Sequence, residues 1–155
     1  MAVREDEDRQ CFTICVFQDT SWATRGLEAL HEKGFEGDAV SLLAKQTTEV
    51  DSLISKTFGV EPTHVDVKGL GSAVAVGRLV GALQGSDEGL GRTGVAATIR
   101  RAGFQAHDGV IYQTLTERGG ILVAVDSESR AADALALFHS YGGGNAAIGA
   151  WTGRV

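Results

Sequence analysis

The residues with the most obvious chemical potential lie at positions 107–112. His107 and Asp108 are adjacent there, and Tyr112 follows Asp108 at a spacing of one helical turn. A carboxylate beside an imidazole can orient it and form an acid–base pair, which makes His107 and Asp108 candidate ligand contacts with Tyr112 as a third. A structural assignment competes with this one: Asp108 caps the start of a helix and His107 stands in solvent. Nearby, Gly89, Gly91 and Gly94 spell GxGxxG literally. That fingerprint binds a dinucleotide only after a buried strand and ahead of an acidic residue on a second strand. Here an apolar helical run and the polar turn at 86–88 precede it, so no cofactor is expected. His31, His64 and His139 are scattered, and the spacing of Cys11 and Cys15 from any histidine gives no zinc pattern. No nucleophile motif or phosphate loop is present, and no catalytic or metal-binding set is assigned.

The elements that must position these residues belong to a chain of 155 residues, enough for one domain with a real core. The net charge of −6 argues against binding phosphate backbones, which depends on a basic surface. Residues 1–10 form an acidic, polar tail in which no secretory signal is visible, and the cytoplasm is the expected location. Cys11 and Cys15 are four apart on a strand, hence roughly 13 Å apart on one face. A disulfide needs Cα atoms within about 7 Å, so both are expected to be reduced and to pack as small apolar residues.

Residues 11–155 read as a single α+β domain. The run CFTICVF at 11–17 is apolar on both faces, with Phe12, Ile14 and Val16 on one side and Thr13, Cys15 and Phe17 on the other, so it should be a central strand. Asp19, Thr20 and Ser21 can cap a helix that ends at Gly34, with Trp22, Ala23, Leu27 and Leu30 on its apolar side. Gly26 within it implies a close backbone contact. A second strand follows at 40–44. The pattern at 50–58 is weakly helical, and 63–68 alternates like a short edge strand or an extended linker. Further on come a helix at 92–102, one at 106–118 and a central strand at 121–125. A helix at about 128–141 and a last strand at 145–151 close the chain.

Residues 69–85 are read as a glycine-rich helix within an insertion spanning 46–102. Gly77, Gly81 and Gly85 are spaced by four and would share one face, leaving room for close approach by a second helix. They are the candidate self-association residues; tight packing within the domain is the other reading. The run is shorter than the ~20 residues of a membrane span and contains Arg78, which argues against a membrane role.

The order strand–helix–strand, insertion, strand–helix–strand predicts a ferredoxin-like βαβ…βαβ sandwich with a glycine-rich helical insertion. Its helices would lie on one face of a four-stranded sheet, with the other face covered by the insertion or by another subunit. A doubly wound parallel sheet is the alternative. Several runs resemble the bacterial general stress protein domain family, also described as heat-induced or low-temperature-induced stress proteins. They are VF-QD at 16–19, the helix ending in Leu30 with Gly34-Phe35, the strand at 40–43, the turn Gly103-Phe104, Tyr112, and Gly119 to Val123. Where such sequences have Pro and acidic residues after the turn, this chain has Gln105, Ala106 and His107. The resemblance implies a cytoplasmic bacterial protein linked to stress or to an assembly, with no catalytic residues to carry over. Together with the glycine spacing it leads to a non-enzymatic structural or interaction protein that self-assembles or docks on a larger complex. The alternatives are a small-ligand sensor or enzyme with a site between sheet and insertion, and a membrane-associated protein using the glycine-rich helix.

Overall fold

A computed structural model describes residues 12–35, 39–126, 130–141 and 150–151. The tail at 1–10, Cys11 and the His139 side chain lie outside the described residues, as does most of the expected last strand. The elements are β1 (Phe12–Phe17), α1 (Thr20–Glu32), β2 (Val40–Lys45), α2 (Thr48–Phe58), β3 (Thr63–Val67) and β4 (Gly71–Val76). Then come α3 (Arg78–Gln84), α4 (Gly89–Thr93), α5 (Val95–Thr98), a 3-10 turn (Ile99–Ala102), α6 (Ala106–Glu117), β5 (Ile121–Asp126), α7 (Ala131–Ser140) and the two-residue β6 (Ala150–Trp151).

The strands form one sheet in the order β3-β4-β2-β5-β1-β6, and every described pair is antiparallel. The doubly wound parallel alternative is thereby excluded. β5 lies between β1 and β2 and runs against both, pairing Cys15 with Val123 and Leu42 with Val123 on its two sides. Thus β1 and β2, joined through α1, are parallel to each other with a strand between them.

Side-chain alternation divides the interior into two cores. Cys15, Phe17, Leu42, Ile121, Val123 and Val125 face a layer made by α1, α2 and α7. Phe12, Ile14, Val16, Leu43, Leu122 and Ala124 face the opposite way, onto Leu79, Leu83, Leu90, Val95, Ile99 and Tyr112. The central strands are buried on both sides, which explains why they read as continuous apolar runs rather than as alternating ones. The second face is therefore covered by the chain's own segment between β2 and β5, residues 46–120.

That segment differs from expectation at its centre. Residues 71–76 are strand β4, not the first half of a glycine-rich helix, and the helix that follows has only seven residues. The sequence GSAVAV alternates as well as it spirals. Pairing with β2 on one side and β3 on the other satisfies its backbone and buries Ala73, Val74 and Ala75. The run at 92–102 is likewise broken at Gly94 (φ +95°) into α4 and α5, with the 3-10 turn completing it. The alternating 63–68 run is the edge strand β3, and the weakly helical 50–58 run is α2, which starts at a Thr47 cap.

Candidate functional site

The 107–112 cluster lies at the start of α6. Gln105 N donates to Asp108 Oδ2 at 3.2 Å, the carboxylate half of a capping box that satisfies an otherwise orphaned amide. Asp108 Oδ1 lies 3.3 Å from His107 Nε2; the Asp108 side chain is only 4% exposed, whereas that of His107 is 63% exposed. One turn on, Tyr112 is buried and meets Phe104 edge-on at a centroid distance of 5.7 Å. Burial, with the charge of Asp108 as a smaller contribution, pushes the Tyr112 phenol well above the ordinary tyrosine range. The three residues are therefore neighbours, but two of them are engaged in capping and packing and only His107 is on the surface.

The candidate association glycines are split by the actual helix boundaries. Gly77 precedes α3 at φ +93°, and a Cβ there would lie 2.4 Å from Ser41 Oγ and 2.6 Å from the Val40 carbonyl. That contact lets Ser41, wholly buried on β2, accept a bond from Leu79 N at 3.0 Å and so cap α3 from a neighbouring strand. Gly85 follows α3, and a Cβ there would lie 2.7 Å from the Arg101 guanidinium. Gly81 alone lies within the helix, and a Cβ on it would meet nothing within 4 Å. Gly77 and Gly85 thus serve close packing inside the domain, and no continuous glycine face exists on α3.

Of the GxGxxG glycines, Gly89 also lies against Arg101, Gly91 lies beside the Asp66 carbonyl, and Gly94 is the helix break. Arg101 donates to both oxygens of Asp87 at 2.9 Å and to the Leu83 carbonyl at 2.8 Å, closing the turn between α3 and α4. The hydrogen bond from Arg101 holds the Asp87 carboxyl below its usual range. Gly89 lies directly under that guanidinium, at 2.6 Å from a built Cβ. This geometry clamps a polypeptide turn.

A surface groove lies elsewhere. A groove of about 700 Å³ runs between α1 and α2 on the outer face of the first layer. Thr20, Thr24, Glu28, His31 and Glu32 form the α1 wall. Thr48, Glu49, Ser52 and Lys56 form the α2 wall, and Leu27 and Leu53 lie at the floor. Each wall is an i, i+4 stripe: 20, 24, 28, 32 on α1 and 48, 52, 56 on α2. Glu28, Glu32 and Glu49 have no ion-pair partner among the described residues. A smaller groove of about 460 Å³ separates α1 from α7, where Arg130 reaches across to the Lys33 carbonyl at 2.8 Å and stacks over Phe35 at 4.1 Å. Sequence reading missed the α1–α2 groove. The polar stripes were visible as the complements of two apolar faces, but nothing in the sequence indicated that they face each other.

Among the described residues no group of three or more acidic, histidine or cysteine side chains could hold a metal ion, and no helix is long and apolar enough to cross a membrane.

No family model, curated protein or solved structure matches this chain.

Proposed function

We propose that this chain is a non-enzymatic, stress-associated interaction protein of the cytoplasm that docks on a larger assembly or on further copies of itself. The observation that carries this reading is the distribution of surface. Both sheet faces are filled by the chain's own helices, while the outer side of α1 and α2 is left as a groove whose wall carboxylates have no ion-pair partner among the described residues. The resemblance of most of residues 12–142, with 46–68 poorly matched, to the general stress protein domain supports the same assignment. The strand order β6-β1-β5-β2, with α1 and α7 on one face, supports a ferredoxin-like sandwich, in which α2, β3, β4 and α3–α6 are the insertion.

Native mass by light scattering, on the full chain and on a form lacking residues 1–10, tests the reading together with affinity isolation from a bacterial lysate. A discrete oligomer, or a stoichiometric co-purifying protein, is the expected result. A chain that stays monomeric at micromolar concentration and retains no stoichiometric partner overturns it.

A further inference from the structure

Resting on that interaction role, and taking a second copy as the partner, we propose that α4 is a displaceable cover over the outer edge of β3, and that two chains pair edge to edge there when it lifts. β3 is the outermost strand on its side of the sheet and pairs only with β4. An open strand edge is a template for another strand unless something covers it. Over the second half of β3, α4 is that cover. Lys68 N donates to the Leu90 carbonyl at 3.3 Å, and a Cβ on Gly91 would lie 3.1 Å from the Asp66 carbonyl. The Asp66 carbonyl thus points outward, away from β4, and alternation along the strand turns the backbone groups of His64 to the same edge. Leu90, wholly buried in the second core, holds the cover down, so the covered state is the resting one. The helix itself has five residues, too few for independent stability, and turns bound it on both sides. Glu88 before it sits at φ +56°, and among the described residues other than glycine it is alone in the left-handed region. The Arg101–Asp87 pair that latches this turn is 37% and 51% exposed, open to water and to competing ions. Release of α4 is therefore a local event at one corner of the sheet. The partner follows from self-complementarity. In a two-fold antiparallel pairing centred on Val65, His64 of each copy lies opposite Asp66 of the other, both at exposed positions, so an imidazole faces a carboxylate on either side of the axis.

The test is the dimerisation constant, measured by sedimentation of the full chain and its variants. Asp87→Asn and Arg101→Gln release the latch from its two sides and change the net charge in opposite directions. Both should tighten dimerisation at least tenfold, which a general charge effect cannot do. Adding His64→Asp to either places two carboxylates opposite each other and should reverse the gain. Adding Asp66→His to that chain exchanges the facing pair and should restore it, with the same His and Asp content as the latch variant alone. Unchanged constants in both latch variants would overturn the proposal. A gain that His64→Asp leaves untouched, or large aggregates in place of a dimer, would mean association through uncovered core surface and overturn it too. Failure of the exchanged pair to restore dimerisation would place the contact elsewhere, with the same consequence. If one of these results is found while the parent chain still forms a discrete oligomer or retains a stoichiometric partner, the edge proposal falls and the interaction role stands.

Discussion

At the scale of single residues, burial holds Cys15 and Tyr112 in their neutral forms. Cys15 is wholly buried beside Phe17 in the first core, and burial pushes its thiol far above the ordinary range. Tyr112 is shifted in the same direction in the second core. Such a shift has a definite sign in stability. The unfolded chain releases the phenolic proton near the ordinary value of about 10, whereas the folded chain retains it, so the unfolded state binds fewer protons above that pH. The contribution of Tyr112 is fully present below about pH 10 and declines as pH rises beyond it. Denaturant titrations between about pH 8 and 11 should show this alkaline loss, and Tyr112→Phe should make the decline shallower. An identical slope in the variant would mean that Tyr112 does not govern it. Close contact at residue scale is illustrated by Gly26 on α1, where a Cβ would lie 2.4 Å from the Phe17 ring. Phe17 is itself held edge-on against Phe138 at 6.0 Å, so the ring has little room to yield. This is the close backbone contact that a glycine inside a helix implied.

At the scale of elements, the layer over the second sheet face is built from short helices held by side chains from outside each helix. Seven residues of α3 and five of α4 are too few for independent helical stability. Ser41 caps the first of these helices at its start, and Arg101 holds its end and the following turn. Gln113 on α6 accepts from Ala96 N at 2.8 Å and donates to Glu117 at 2.9 Å, tying α5 to α6. Replacement of Arg101 by Gln should therefore loosen this layer before the sheet. In native-state hydrogen exchange, the amides of Gly85 and Arg92, bonded to Gly81 and Glu88, should exchange faster while those of β5 keep their protection. Uniform acceleration across β5 as well would show that layer and sheet open as one unit.

At the scale of the whole molecule, one sheet is shared by two cores. The helices of the first are α1, α2 and α7; those of the second, α3–α6, all lie in the segment that departs after β2 and returns at β5, which also carries α2. β2 and β5 are antiparallel neighbours with Leu43 opposite Leu122, so a short turn could join them directly. Replacing residues 46–120 by such a turn would uncover Phe12, Ile14, Val16, Leu43 and Leu122 on one side of the sheet. It would also remove α2 from the other. A contiguous apolar face of that kind associates, so the shortened chain should form large aggregates and bind a hydrophobic dye strongly. A dispersed monomer with ordinary dye binding would show that the segment is not required as cover.

The apolar runs at 12–17, 40–44 and 121–125 determined three strands, and Asp19 with the amphipathic pattern after it determined a helix, because period and capping are local properties; the weak pattern at 50–58 only suggested the helix that Thr47 caps in the structure. Gly26 announced a close approach for the same reason: only local backbone geometry and one neighbour are involved. Residues 71–76 were ambiguous, since a run of Ala and Val satisfies both periods, and pairing with β2 and β3 decided for strand. The roles of Gly77 and Gly85 changed with that decision. Both became packing points against Ser41 and Arg101, residues remote in sequence. Tertiary structure also decided that Asp108 and Tyr112 face inward and that the polar stripes of α1 and α2 face each other across a groove. Burial and juxtaposition depend on which elements become neighbours, a property of the packed chain rather than of any one stretch of it.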